Sequence, residues 1–237
     1  MLARFKKWLG FLLFPALCES CDAPIRFDST DFLCARCAAS IKTIRPPHCT
    51  VCGRTSQEPR CAACAGERFH FDRACAFAWY EGKSKELLHL YKFDERKILK
   101  NFLAGRMKDF AQTHLDGEKF DMLVAVPMDA EKKRRRGFNQ SALLASELSK
   151  KLGIRDGSRG IARKKSPSSQ SLLSKADRKS NIEGCFYATS ENFFKEAKKL
   201  LLIDDVLTTG ETASECARVL KQAGAGSVTV LACARGL

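Results

Sequence analysis

Of the 12 cysteines in the chain, eight fall before residue 65 as four C-x-x-C pairs: Cys18 and Cys21, Cys34 and Cys37, Cys49 and Cys52, Cys61 and Cys64. Two thiolates separated by two residues in a tight turn face one ion, and two such knuckles complete the tetrahedron that Zn²⁺ prefers. The simplest grouping is sequential, the first four on one zinc and the last four on a second. An interleaved grouping, or one filled and one vestigial site, satisfies the same spacing. Four thiolates leave no open coordination position, so the expected role is folding or contact rather than catalysis. His48 adjoins Cys49 and is a competing ligand by type, although such a histidine is more often a surface neighbour. Cys75, Cys185, Cys216 and Cys233 lie in strand or helix patterns and read as buried apolar packing.

The second stretch with chemical content is "LLIDDVLTTGETASECARVLKQAG", residues 201–224. An apolar strand ends in Asp204 and Asp205, a turn of small hydroxyl residues surrounds Gly210, and a helix follows. A helix start offers unpaired N–H groups and a partial positive charge, glycine allows close backbone approach, and Thr208, Thr209 and Thr212 add hydroxyl donors. Such a turn cradles a phosphate monoester. The two acids repel a phosphate but accept hydrogen bonds from sugar hydroxyls, so a ribose carrying a 5′-phosphate satisfies both halves. The plainer reading makes the acids a turn marker and Thr209 a helix cap. No G-K-[ST] and no G-x-G-x-x-G accompanies the strand, which excludes the Walker A and dinucleotide fingerprints.

These residues need a scaffold, and the order of elements predicts one. "RACAFAWY" (73–80) reads as a strand, and "KSKELLHLYKF" (83–93) as a helix with Leu87, Leu90 and Tyr91 on one face. A further helix presents Ile98, Phe102 and Phe110, and "DMLVAVP" (121–127) is a buried parallel strand. "NQSALLASELSKKLG" (139–153) is a helix with Ala142, Ala145, Leu148 and Leu152 inward and Asn139 as its cap. Residues 155–181 are basic and serine-rich, and "GCFYAT" (184–189) is a short strand. "KLLLID" is a buried strand, the next helix buries Ala213, Cys216, Ala217 and Leu220, and "SVTVLACA" (227–234) is the last strand. Strands alternating with helices imply an α/β domain around a mainly parallel sheet. The expected organisation is a short amphipathic helix over 1–17, a double zinc-ribbon module over 18–68, and the α/β domain over 71–237.

The balance of 41 Lys and Arg against 27 Asp and Glu gives +14, which favours polyanionic partners. Five consecutive basic residues, Lys132 to Arg136, precede Gly137 and Phe138. Arginines there suit nucleic-acid phosphates and Phe138 a stacking face for a base; alternatively Arg136 and Asn139 fix the loop that opens the helix. Lys92 follows a helix and either faces the site or, as is commoner for a lysine, lies at the surface. The first residues resemble a secretory signal, but Leu17 is too large before a cleavage site and Cys18 belongs to a C-x-x-C pair. Leu9, Leu12 and Leu13 instead form one face of a short helix beside Trp8. No segment is long and apolar enough to span a bilayer as a helix, which makes the cytoplasm the default location.

"LLLIDDVLTTGET" resembles the phosphoribosyl-diphosphate signature of type I phosphoribosyltransferases. With "VPMDAEKKRRRGFNQSALLA", "SQSLLSKADRKSNIEGCF" and the preceding cysteine knuckles, nearly the whole chain resembles the ComF family, which includes the GntX-like proteins. The resemblance implies a zinc-binding N-terminal module, a phosphoribosyltransferase-like domain and an association with DNA uptake. It implies that Asp204 and Asp205 contact the ribose hydroxyls, and that Thr208, Thr209, Gly210, Glu211 and Thr212 hold the 5′-phosphate. Diphosphate would carry Mg²⁺ and meet the loop at Met128 and Asp129. Within "ARKKSPSSQSLLSKADRKSN", a candidate lid, Arg178 is the chosen diphosphate contact; the same stretch reads equally as a solvated basic loop. An active transferase of unknown acceptor and a non-catalytic module for single-stranded DNA or a partner protein both fit this pattern.

Overall fold

The computed structural model describes residues 16–26, 28–93, 96–115, 118–164 and 182–236. The expected helix at the N-terminus and the contact assigned to Arg178 fall outside these residues. The chain runs through helices α1 (Ala35–Ala39) and α2 (Ala62–Ala65), strand β1 (Arg73–Trp79), and helices α3 (Gly82–Phe93) and α4 (Lys100–His114). It continues through β2 (Met122–Ala125), α5 (Ala130–Arg136), α6 (Gln140–Leu152), β3 (Arg155–Asp156) and β4 (Ile161–Arg163). The last elements are β5 (Phe186–Ala188), β6 (Lys199–Leu207), α7 (Glu211–Gln222) and β7 (Ser227–Arg235).

Five strands form one parallel sheet in the order β1-β7-β6-β2-β3, and β4 with β5 form a separate antiparallel pair. Parallel strands covered on both faces read as continuous apolar runs, and β1, β2, β6 and β7 are buried along most of their length. The two-residue period splits β6 between two cores. Leu201 and Ile203 join α3, α4 and α6 through Leu87, Tyr91, Phe102, Met107, Leu144 and Leu148. Leu200 and Leu202 join α7 through Ala213, Cys216, Ala217 and Leu220, the face expected from the sequence.

Some expected faces are offset. Leu88 rather than Leu90 is buried in α3, and the α6 face centres on Ser141, Leu144, Ala145 and Leu148, with Ala142 and Leu152 at its margin. Half-buried Ile98 and Phe110 flank buried Leu99 and Phe102. The stretch read as irregular and basic contains β3 and β4, strands too short to show a period.

Connections leave β2 and β6 in opposite directions, one towards β3 and the other towards β7. The crevice beyond the carboxyl ends of β2 and β6 is therefore a topological switch point, where open α/β sheets place ligands. The β2 register ends with Ala125 opposite Ile203, so residues 204–207 project beyond that pairing. Among the described residues no helix is long and apolar enough to cross a membrane.

Candidate ligand-binding site and metal centres

Asp204 and Asp205 stand at this switch point. Asp204 Oδ1 accepts hydrogen bonds from Ser141 Oγ at 3.1 Å and from the Asp205 N–H at 2.9 Å. Burial pushes the Asp204 carboxyl up to about 7, and the Asp205 charge adds to the shift; the Asp205 N–H, Lys92 and Ser141 oppose it. Asp205 Oδ1 meets Lys92 Nζ at 3.0 Å, with the two side chains 14% and 13% exposed. Lys92 is thus not the surface lysine its position suggested. The end of α3 is pinned to the start of α6, since Tyr91 Oη donates to the Gln140 carbonyl at 3.0 Å and Gln140 Nε2 donates to the Lys92 carbonyl at 3.5 Å. That anchorage turns Lys92 towards the acids.

The turn after β6 has the geometry its residues suggest. Gly210 has φ 93°, a left-handed conformation that glycine adopts without strain, and α7 starts at the next residue. No side chain caps this helix among the described residues, so Thr209 does not fill the capping role of the plainer reading. Thr208 is exposed, and Thr209, Glu211 and Thr212 are half-buried. A Cβ at position 210 would lie 3.3 Å from the Phe69 ring and 3.6 Å from Phe71, so the turn rests on an aromatic floor. Glu211 Oε2 is buried without a hydrogen-bond partner among the described residues.

The loop after β2 faces the same crevice. The Val126 N–H donates to the Ile203 carbonyl at 3.0 Å, and Asn139 Nδ2 donates to the Val126 carbonyl at 3.1 Å. Asn139 Oδ1 also accepts from the Ala142 N–H at 3.4 Å, the cap expected for α6. Asp129 caps α5, its Oδ1 accepting from the N–H groups of Glu131 and Lys132. Lys132, Lys133, Arg134 and Arg135 of α5 are exposed, whereas Arg136 is half-buried, its Nη1 donating to Gln140 Oε1 at 3.4 Å. Phe138, expected as a stacking face, is instead 7% exposed and packs against Tyr91, with the Lys97 ammonium 4.9 Å from its ring centre. Gly137 ends α5 in a left-handed conformation and turns the next side chain into the core. The exposed ring is that of Phe93, with the Arg136 guanidinium 4.6 Å from its centre.

A cavity of about 210 Å³ lies at the start of α7, between Glu67–His70, Ile182 and Glu211, Ser214 and Arg218 of the helix, so it adjoins the turn through Glu211. Its lining mixes acids and arginines, and the acid pair is not part of it.

The cysteines gather as two sequential groups, Cys18/Cys21/Cys34/Cys37 and Cys49/Cys52/Cys61/Cys64, with the ligand atoms of each group within 4.8 Å of one another. This is the simplest of the groupings that the spacing allowed. Backbone N–H groups already point at sulfur: Cys34 N–H at Cys18 Sγ, 3.3 Å, and Cys61 N–H at Cys49 Sγ, 3.3 Å. The Ala23 N–H helps hold the Cys21 thiol down to about 6, and backbone N–H groups outweigh burial to hold Cys49 down to about 6. Burial instead pushes the Cys37, Cys52 and Cys64 thiols up, so the fit to structural Zn²⁺ rests on four converging thiols in each group. His48 belongs to neither group; it bridges to Thr55 and faces His114 at 6.3 Å between ring centres. Cys75, Cys216 and Cys233 are buried as expected, whereas Cys185 is half-buried.

Sequence reasoning missed Ser141 and Phe93, and it ranked a site-facing Lys92 below a surface one. Ser141 carried a signal, a polar residue at helical spacing from Leu144, Ala145 and Leu148. Phe93 carried none, because its neighbour Arg136 comes from a distant segment.

No family model matches the chain. It is 30% identical to the DNA utilization protein YhgH of Escherichia coli O6:H1 over 233 residues, covering 95% of this chain and 100% of that protein. It is 30% identical over 210 residues to competence protein F of Haemophilus influenzae, covering 86% of this chain and 90% of that one. To competence protein ComFC of Bacillus subtilis it is 28% identical over 229 residues, covering 88% and 90%. Among solved structures, glutamine phosphoribosylpyrophosphate amidotransferase of B. subtilis aligns with a TM-score of 0.39 and 20% identity, over 56% of this chain and 26% of that one. Adenine phosphoribosyltransferase of Thermoanaerobacter pseudethanolicus aligns with a TM-score of 0.31 and 14% identity, over 61% and 83%. From the near-complete match to its sequence relatives, the chain belongs to the family of DNA utilization protein YhgH, competence protein F and ComFC.

Proposed function

We propose that this protein binds phosphoribosyl diphosphate at the β2/β6 switch point and acts in DNA uptake or utilization. The observation that carries the reading is the placement of two complementary halves on one strand end. The Asp204–Asp205 pair lies before an uncapped helix start whose turn is opened by a left-handed glycine. In this reading the amides and hydroxyls of Thr208–Thr212 receive the 5′-phosphate, and the two acids accept hydrogen bonds from the ribose hydroxyls. The diphosphate arrives with Mg²⁺ and points towards the β2 loop at Met128 and Asp129. Arg178 is its proposed contact from the basic segment. Lys92 holds Asp205 until the ribose replaces it, and its ammonium then stays beside the leaving charge.

Isothermal titration with phosphoribosyl diphosphate and Mg²⁺ tests this directly. The wild type is expected to bind, and Asp204→Asn with Asp205→Asn to lose at least about tenfold in affinity, since each lost charged hydrogen bond is worth about 1.5–3 kcal/mol. Unchanged binding in the double variant would overturn the role given to the acids. Diphosphate release in the presence of an acceptor separates a transferase from a binding protein.

A second reading is a non-catalytic nucleic-acid or partner-binding module. The observation that favours it is the exposed run Lys132–Arg135 on α5 beside the exposed ring of Phe93. Single-stranded DNA running over α5 would find phosphate contacts and one ring for a base.

A further inference from the structure

Asn139, Gln140 and Ser141 stand at the start of α6, and each meets a different wall of the switch point. Asn139 Nδ2 donates to the Val126 carbonyl of the β2 loop, Gln140 meets the end of α3, and Ser141 Oγ donates to Asp204. Gln140 is fully buried, and both ends of its amide are engaged. Nε2 donates to the Lys92 carbonyl at 3.5 Å, and Oε1 accepts from Arg136 Nη1 at 3.4 Å. The end of α3 answers with three consecutive residues of its own. Tyr91 Oη donates to the Gln140 carbonyl, Lys92 Nζ holds Asp205 at 3.0 Å, and the Phe93 ring carries the Arg136 guanidinium 4.6 Å from its centre. One side of this hub is therefore the acid pair. The other is a surface patch, since Phe93 is 50% exposed and Lys132–Arg135 are exposed as well. Arg136 links patch and hub, and it is loosely held. Its contact with Gln140 is long, and its buried Nε has no hydrogen-bond partner among the described residues.

We propose that Arg136 and Gln140 relay the binding of a single-stranded nucleic acid on this patch to the Lys92–Asp205 pair, so that a bound strand frees Asp205. The proposal rests on the strand-binding reading of α5 and adds what that binding does. A phosphate is a stronger partner for a guanidinium than an amide oxygen at 3.4 Å, and a base that stacks on Phe93 displaces the cation from the ring. Either event draws Arg136 off Gln140 Oε1. The Gln140 amide then loses the contact that fixes its orientation, and with it the donor on the Lys92 carbonyl. That carbonyl lies in the last turn of α3, where carbonyls have no intrahelical partner to fall back on. Lys92 is also one peptide from the ring that the base holds. Its ammonium leaves Asp205, and that carboxylate is open to a ribose hydroxyl. The route is contiguous from the patch through Arg136, Gln140 and Lys92 to Asp205, and strand and ribose ligand favour one another along it. The two readings of Arg136, phosphate contact and loop anchor, are then two states of one side chain.

Acetylation of lysines by a water-soluble ester, read by mass spectrometry, tests the relay on the full chain with and without a short oligothymidylate. Lys92, paired and 13% exposed, is expected to label slowly alone and about fivefold or more faster with the strand, the lower end of coupling between sites. Lys132 and Lys133 should label more slowly with the strand, which reports where it lies. In Gln140→Met the strand should still cover Lys132 and Lys133, while the Lys92 rate no longer responds to it. A Lys92 rate unmoved in the wild type while Lys132 and Lys133 are covered would overturn the proposal. So would a strand that leaves those two lysines uncovered, or a Lys92 response that survives in Gln140→Met. The wild-type arm does not depend on a variant folding. Titration with phosphoribosyl diphosphate and Mg²⁺, with and without the oligonucleotide, is a separate arm. The strand should raise that affinity by a similar factor in the wild type and not in Gln140→Met, and an affinity that the strand leaves unchanged would contradict the relay. Sugar diphosphate that binds in neither condition, with Lys92 still responding to the strand, would end the phosphoribosyl reading and leave the relay standing.

Discussion

Asp204 is the residue where stability and binding pull apart. Its carboxyl is pushed up to about 7 by burial and by Asp205, well above the ordinary aspartate value of 3.8. The folded state therefore binds this proton more tightly than the unfolded chain does. The proton's contribution to stability is present below pH 4 and is lost as pH rises towards 7. Asp204→Asn removes a buried charge and should raise the denaturation midpoint at pH 8 relative to wild type, with little gain at pH 5; chemical denaturation at the two values checks this. If ribose hydroxyls donate to the ionised carboxylate, wild-type affinity for the sugar diphosphate should rise as pH passes upward through 7. The acid pair and the turn were legible because they are contiguous in one string, "DDVLTTGET". The contacts of Lys92 and Ser141 were not, because each reaches Asp205 or Asp204 only through helix packing. Of the two readings of this stretch, the one that made Phe138 a stacking face fails for the same reason: adjacency to arginines said nothing about which way Gly137 would turn the chain.

At the scale of elements, the β6–turn–α7 unit depends on one backbone conformation. Gly210→Ala places a Cβ at φ 93° and 3.3 Å from Phe69, and it should destabilise by about 1–3 kcal/mol. Urea denaturation measures that loss, and phosphate-dependent binding should fall with it. Helix α5 offers a separate prediction. Phe93→Ala should weaken single-stranded DNA binding by about 1–3 kcal/mol if a base stacks there, whereas Phe138→Leu should leave it near wild type. Filter binding at several salt concentrations checks both, and a flat salt response would count against phosphate contacts on α5. The long elements were readable from period and apolar runs, notably β6, β7 and the buried face of α7. Short β3 and β4 were not, since two or three residues carry no period and their pairing is set by β2 and β5.

For the whole molecule, the two four-cysteine groups and the five-stranded sheet form a connected body. Cys18 and Cys37 share an apolar cluster with Leu87, Tyr91 and Phe102, and the second group packs through Val51 and Phe69. Zinc analysis should return two equivalents per chain, and chelation should lower the thermal midpoint by stripping ligands from that shared core. One equivalent, or a midpoint unmoved by chelator, would contradict this arrangement. The cysteine grouping was the simplest reading of the spacing; its seating against the sheet was not legible, because the contact that seats it, the Ala74 N–H on the Val51 carbonyl, comes from a strand outside the cysteine pattern.

The central claim is that one ligand spans the turn and the acid pair. Crystals soaked with phosphoribosyl diphosphate and Mg²⁺ test it most directly. The account predicts the 5′-phosphate within hydrogen-bond distance of the amides of residues 208–212 and the ribose hydroxyls on Asp204 and Asp205, with Lys92 drawn off Asp205. Sugar diphosphate density elsewhere, with the Lys92–Asp205 pair intact, would contradict it.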